Sequence, residues 1–174
     1  MCRREGAGHN RPMLEGLAPV IAADTRLVIL GSFPGVASLA AQQYYGHPRN
    51  GFWELVGAVI DLDLRSLPYA ARLDALRAHR IGLWDVIAQA ERQGSLDSAI
   101  RNETRNPLAE LVARLPVLKA IAFNGGTAAR MGRRQLAGMD DRLALIDLPS
   151  SSPAHTIALD DKRRVWLRLA SELR

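Results

Sequence analysis

Arg26-Leu27-Val28-Ile29-Leu30, running straight into Gly31-Ser32-Phe33-Pro34-Gly35, decides the fold. The first five residues are an apolar run of strand length with no polar alternation. Such a run reads as a strand covered on both faces, the habit of parallel sheets. The glycine- and proline-bearing turn lies at the strand's carboxyl end. The same kind of segment returns at Ile81–Val86 (IGLWDV), Leu118–Phe123 and Leu143–Leu148. Between these strands lie helical patterns. The order strand, helix, repeated four times, predicts an α/β protein: three layers, α/β/α, around a central four-stranded parallel sheet.

The helices carry their own signals. Apolar residues at 52, 55, 56, 59 and 60 form one helical face, with His47 as cap and Pro48 as first residue, or Asn50 as the cap. Leu73 and Leu76 mark a second helix near residues 68–79. Asn106-Pro107 reads as cap and first residue of a third, with Leu108, Leu111, Val112 and Leu115 buried. Asn124-Gly125-Gly126 is a turn that opens a helix to about residue 135, and a last helix starts near Asp160. Met13–Ala23 is expected to be a short helix and Gln93–Arg105 a polar loop. Residues 1–12 read as a disordered lead, and 13–174 as one domain.

Composition narrows the class. The chain has 174 residues, 48% of them hydrophobic, which suits a packed globule. No apolar run reaches membrane-spanning length, so a cytoplasmic protein without membrane attachment is expected. A single cysteine, Cys2, excludes an internal disulfide and a cysteine-built metal site. The histidines at 9, 47, 79 and 155 show no metal-ligand spacing. The net charge of +5 and pI of about 10.1 favour a polyanionic partner. Arg130, Arg133, Arg134, Lys162, Arg163 and Arg164 are candidates for a basic face, although charge runs are usually plain solvated surface.

Ligands of such sheets bind beyond the carboxyl ends of the strands. Those ends carry Gly31–Gly35, Asp85, Asn124-Gly125 and Ser150–His155. Beside them falls Tyr44-Tyr45-Gly46-His47-Pro48-Arg49-Asn50-Gly51-Phe52-Trp53, which holds four of the nine aromatic residues. No phosphate-binding lysine loop, dinucleotide fingerprint or nucleophile elbow is present. Rings, amides and small residues suit a flat heteroaromatic ligand, and with a basic surface a nucleobase in DNA is the sensible candidate.

These motifs resemble the uracil-DNA glycosylase superfamily over about residues 26–174. Gly31–Gly35 sits where that superfamily has its first motif. His47-Pro48-Arg49-Asn50-Gly51-Phe52-Trp53 is similar to the His-Pro-x-Asn-x-Phe-Trp stretch of the mismatch-specific uracil- and thymine-DNA glycosylases. Pro149–Pro153 occupies the second motif, the loop that enters the duplex. One departure is informative: those mismatch-specific enzymes have a catalytic asparagine at the third position of the first motif, where this chain has Phe33. The hypoxanthine-DNA glycosylases of the superfamily also lack it, and use the asparagine of the His-Pro-x-Asn stretch, which is Asn50 here. The whole pattern looks most like that group.

The resemblance implies a monofunctional DNA-repair glycosylase. It would flip a deaminated base, hypoxanthine first, out of DNA and hydrolyse its N-glycosidic bond without a metal or organic cofactor, as a monomer. Asn50 would orient the water. Ser32, Phe33, Tyr45 and Asn124 would bind the base. His47, Ser150, Ser151, Ser152 and His155 would contact DNA. Each has a plainer reading: Asn50 and His47 as helix caps, Tyr45 as a core aromatic, Asn124 and the serines as turn residues. The rivals are a mismatch-specific uracil-DNA glycosylase on the same scaffold and a catalytically silent DNA- or nucleotide-binding α/β module.

Overall fold

The computed structural model describes residues 11–139 and 141–174. The expected disordered lead therefore lies outside the described residues, apart from Arg11 and Pro12, and so do Cys2 and His9. The strands are β1 (Met13–Glu15), β2 (Leu27–Gly31), β3 (Ile81–Asp85), β4 (Ile87–Glu91), β5 (Arg101–Arg105), β6 (Ala120–Asn124) and β7 (Ala144–Leu148). The helices are α1 (Val36–Ala41), α2 (Phe52–Ile60), α3 (Tyr69–Ala78), α4 (Leu108–Arg114), α5 (Gly126–Leu136) and α6 (Leu159–Trp166), the last continued by a 3₁₀ segment, Leu167–Leu173.

The expected parallel sheet is present, with four strands in the order β3-β2-β6-β7. All five residues of β2 are buried. The pleat sends them alternately to two faces. Leu27 and Ile29, with Ala120 and Ala122 of β6, join a core with α2, α3 and α6. Val28 and Leu30, with Ile121 and Phe123, join a second core with α4 and α5. Helices thus cover both sides, and β2 can be apolar throughout because neither face meets water.

A second sheet was not expected. β1, β4 and β5 form a three-stranded antiparallel sheet in the order β1-β4-β5. It corrects two expectations. Met13–Ala23 is not a helix: it gives β1 and then an extended segment in which Val20 bridges Leu83. Gly16 and Pro19 are poor helix residues, and the Gly16 N–H finds its partner at Ala88 O instead (2.8 Å). Gln93–Arg105 is not a loop throughout, because Asp97–Ala99 form a 3₁₀ turn and Arg101–Arg105 form β5. Every residue of β5 is exposed, so no apolar alternation marks it. α1 was unexpected too. Pro107, not Asn106, stands at the N-cap of α4, since the Asn106 amide turns away to donate to Asp85 O (2.7 Å).

The chain leaves β2 for β3 on one side and later enters β6 on the other. The switch between β2 and β6 opens a crevice at their carboxyl ends, where Gly31 and Asn124 stand.

Candidate active site

A cavity of about 540 Å³ fills this crevice, within the size range of small-molecule sites. Ser32, Phe33, Tyr45, His47, Asn50, Asn124, Ser150, Ser151, Ser152 and His155 all line it. The structure thus brings together every residue that the sequence nominated, from four separate segments of chain.

The Tyr44–Gly46 turn is fixed from several directions. The Tyr44 N–H donates to the Tyr69 hydroxyl (3.0 Å) and the Gly46 N–H to Ser38 Oγ (3.0 Å), while Trp53 Nε1 donates to Tyr45 O (3.3 Å). These bonds hold Tyr45 in the left-handed region, at φ 52°, which costs a non-glycine residue about 1–2 kcal/mol. A strained residue persists only where its surroundings over-determine it, and such residues gather at functional sites. Its ring stacks on Phe52, with centroids 3.8 Å apart and planes 13° from parallel. Phe52 in turn meets Trp53 and Trp166 edge-on. One face of Tyr45 is therefore occupied by protein, and it contributes to the cavity by its other side and its hydroxyl. Tyr44 is a core residue whose hydroxyl donates to Ala18 O (2.7 Å).

Asn50 does two things at once. Its Oδ1 accepts the Phe52 N–H (3.0 Å) in an Asx turn at the start of α2, and its side chain lines the cavity. The N-cap of α2 is Gly51 and the helix begins at Phe52, so, contrary to the sequence expectation, neither His47 nor Asn50 is the cap residue and Pro48 is not the first residue. Asn50 sits one residue before the cap and places its side chain at the cavity wall. The Asx-turn bond fixes the plane of the amide and leaves its NH₂ group outside that bond. His47 is likewise a turn residue, with Nδ1 accepting the Arg49 N–H (3.1 Å).

The Pro149–His155 loop is anchored rather than loose. Asn124 Nδ2 donates to Ser151 Oγ (2.9 Å) and Asn124 Oδ1 accepts the Ser151 N–H (2.8 Å). The Gly51 N–H reaches Ser151 O (3.0 Å), which ties this loop to the start of α2. Trp166 Nε1 donates to Pro149 O (3.0 Å) and Lys162 Nζ to Ser152 O (3.0 Å). Lys162 is buried, and desolvation lowers its pKa. Ser150 and Ser152 hydroxyls accept backbone N–H groups two residues ahead, small turns that stiffen the loop. Asn124 keeps one N–H and one lone pair beyond its Ser151 bonds, so it retains capacity toward a base edge.

The floor and far wall were less visible in the sequence. Asp85, at the end of β3, is 4% exposed and lines the cavity. Burial, reinforced by nearby Asp97 and opposed by Arg92, pushes its carboxyl up to about 7. Burial, with Asp85 adding to it, also drives the Tyr45 hydroxyl far above its usual range. The far wall is the tip of the β4–β5 hairpin, Ser95–Ser98. Asp97 Oδ1 accepts the Ser32 hydroxyl (2.7 Å), and Ser95 Oγ accepts the Val36 N–H (2.9 Å). The buried Arg92 guanidinium stands 5.1 Å from the Phe33 ring and donates to Pro34 O and Gly94 O. Phe33 therefore takes part in the site through packing, its ring held by a cation–π contact. Of Asp85, Arg92, Ser95 and Asp97, only Asp85 carried any sequence signal, its place at a strand end.

Of the basic residues, Arg133, Arg163 and Arg164 pair with Asp147, Asp160 and Asp161. Arg130 and Arg134 are exposed on α5. Among the described residues, no group of three or more His, Cys, Asp or Glu could hold a metal ion, and no helix is long and apolar enough to cross a membrane.

Known proteins resemble this chain in sequence and fold. A family model described as the uracil DNA glycosylase superfamily matches residues 18–171. A hypoxanthine DNA glycosylase of Methanosarcina barkeri is 39% identical over 153 residues, which cover 87% of this chain and 94% of that protein. One of Methanosarcina acetivorans is 39% identical over 151 residues, again 87% and 94%. A solution NMR structure of a Methanosarcina acetivorans protein assigned to the uracil DNA glycosylases superposes with a TM-score of 0.83 at 37% identity, covering 93% of this chain and 99% of that one.

Proposed function

The chain belongs to the uracil DNA glycosylase superfamily and is a DNA-repair N-glycosylase that removes deaminated bases; from there we propose that hypoxanthine is its preferred base and Asn50 its catalytic residue. The observation that carries this reading is the Asn50 amide, locked by the Phe52 N–H and set in the cavity wall opposite a first motif that offers Phe33 in place of an amide. A deaminated nucleotide, weakly paired, is turned out of the duplex at a cost of about a few kcal/mol. Its base enters the cavity between the Tyr45 side and Phe33. Asn50 holds the attacking water against the sugar carbon as the glycosidic bond breaks through an oxocarbenium-like state. An amide is too weak a base to do more, so its contribution is position and dipole. Asn124 binds the base edge. His47, the 150–152 serines and His155 meet the DNA backbone at the mouth, with the protein acting as a cytoplasmic monomer.

Single-turnover release from duplexes that each contain one hypoxanthine, uracil or xanthine tests the proposal. Hypoxanthine is expected to be released fastest. Faster uracil release would favour the mismatch-specific alternative. DNA binding without release of any base would leave only the silent binding module.

A further inference from the structure

The floor of the cavity holds two polar atoms without a well-formed hydrogen bond. Oδ2 of Asp85 and the Tyr45 hydroxyl are both buried, and neither has a hydrogen bond of good geometry; the Asn124 side chain lies close enough to act on the hydroxyl, while nothing similar reaches the carboxyl. Buried polar groups are otherwise paired in native proteins, and an unpaired one costs free energy until something reaches it. Gly31 lets the two residues converge. A Cβ at that position would stand 2.5 Å from Asp85 Oδ1 and 3.0 Å from the Tyr45 hydroxyl oxygen. The last residue of β2 must therefore be glycine for Asp85 to reach the floor. No binding or catalytic step described above uses the carboxyl.

We propose that Asp85, with the Tyr45 hydroxyl beside it, determines which bases the cavity accepts, by pairing with the lactam edge that deamination creates. This rests on the glycosylase reading and names the substrate class of the same site. Hydrolytic deamination always makes the same change: an exocyclic amino group beside a ring nitrogen becomes a carbonyl beside a ring N–H. Hypoxanthine, uracil and xanthine share that edge. A carboxylic acid matches it at two points, its O–H donating to the base carbonyl and its C=O accepting the ring N–H. A carboxylate can only accept, and would face the base carbonyl with negative charge.

The surroundings favour the acid form. Asp97 lies nearby as a second carboxylate and accepts the Ser32 hydroxyl. Arg92 acts in the opposite sense, but its guanidinium donates to Gly94 O and Pro34 O. Tyr44 and Tyr45 are neutral phenols, held so chiefly by burial. Asn106 bonds the Asp85 backbone oxygen, not its carboxyl. With the carboxyl raised to about 7, the acid predominates in mildly acidic solution and declines as pH rises through neutrality.

The test compares single-turnover release of hypoxanthine with release of unsubstituted purine, which lacks both the carbonyl and the ring N–H, from otherwise identical duplexes. Wild type, Asp85→Asn and Asp85→Ala are measured from about pH 5.5 to about pH 8. An asparagine copies the donor and acceptor of the neutral acid without titrating. Wild type should lose hypoxanthine activity toward pH 8. Asp85→Asn should be slower by only a few-fold at the acid end and show no such fall. Asp85→Ala should lose about 10-fold or more on hypoxanthine and little on purine, so that the preference collapses. Circular dichroism and melting curves accompany each variant. If Asp85→Ala does not fold, the pH profile of Asp85→Asn decides alone. Asp85→Ala with the wild-type preference, or Asp85→Asn with the wild-type pH profile, would overturn the proposal. If wild type releases uracil but not hypoxanthine, the substrate reading falls while the same variants on uracil still test the lactam contact. If wild type releases no base, both fall.

Discussion

The two walls of the cavity are built on different principles. One wall is the Tyr44–Phe52 segment with the Pro149–Ser152 loop. It rests on an aromatic stack whose base, Phe52 and Trp166, is fully buried, and its backbone is clamped by Tyr69, Ser38, Trp53, Asn124, Trp166 and Lys162. The opposite wall is the Ser95–Ser98 hairpin tip. It springs from β4, which buries Ile87 and Ala90, and from β5, which buries nothing, and it reaches the first motif through Ser32–Asp97, Val36–Ser95 and Arg92–Pro34 hydrogen bonds. Chemistry that depends on a water held to within a fraction of an ångström belongs on the first wall. The second wall has few apolar contacts to fix it and suits adjustment to the incoming strand. Asp85 lies between them, on the rigid sheet but electrostatically coupled to the hairpin.

Truncation should expose this contrast most strongly at the base of the stacked wall. Phe52→Ala removes a ring that is wholly buried and touches Tyr45, Trp53 and Trp166. A loss of about 3–5 kcal/mol in urea unfolding is expected, together with loss of base release, because Tyr45 no longer has the surface that holds it. A loss under about 1 kcal/mol would show that the wall does not depend on the stack.

Asp85→Asn should change stability with a sign set by pH. The folded carboxyl is raised to about 7, above the usual carboxylate range. At low pH both states are protonated and there is no penalty. Between the unfolded and folded values the unfolded chain gives up its proton first, so wild-type stability falls as pH rises, and levels off above about 7. The asparagine variant has no such slope. Its melting temperature should exceed that of wild type by about 5 °C at pH 8 and by little near pH 4. Equal melting temperatures at both pH values would count against a buried, raised carboxyl.

The hairpin wall should yield the smallest effect. Asp97→Ala removes one exposed hydrogen bond to Ser32. Stability should change by about 1 kcal/mol or less, and DNA affinity by a few-fold in a salt titration. A collapse of base release would place the hairpin in the chemistry and erase the contrast.

The same contrast governs what the sequence made legible. β2 was evident because five consecutive apolar residues leave little other choice. The stacked wall was evident because four of nine aromatics fall in ten residues before an apolar helical face. The hairpin was not, since Arg101-Asn102-Glu103-Thr104-Arg105 is polar at every position and owes its strand form to pairing with β4. β1, three residues long, gave too little pattern to set against helix formers nearby. Asp85 was noticed at its strand end, but a single polar residue there reads equally well as a cap or a salt-bridge partner. Only burial and the missing partner of Oδ2 separate those readings. Asn50 posed a choice that the fold does not impose, because one amide stands both at the helix start and in the cavity lining.

That double use makes Asn50 the most direct place to test the account. Asn50→Ser keeps an oxygen able to accept the Phe52 N–H and removes the amide NH₂ group. Single-turnover release of hypoxanthine should fall about 100-fold or more, while the melting temperature stays within a few degrees of wild type. Release at the wild-type rate by this folded variant would mean that Asn50 only starts the helix, and would contradict its role in catalysis.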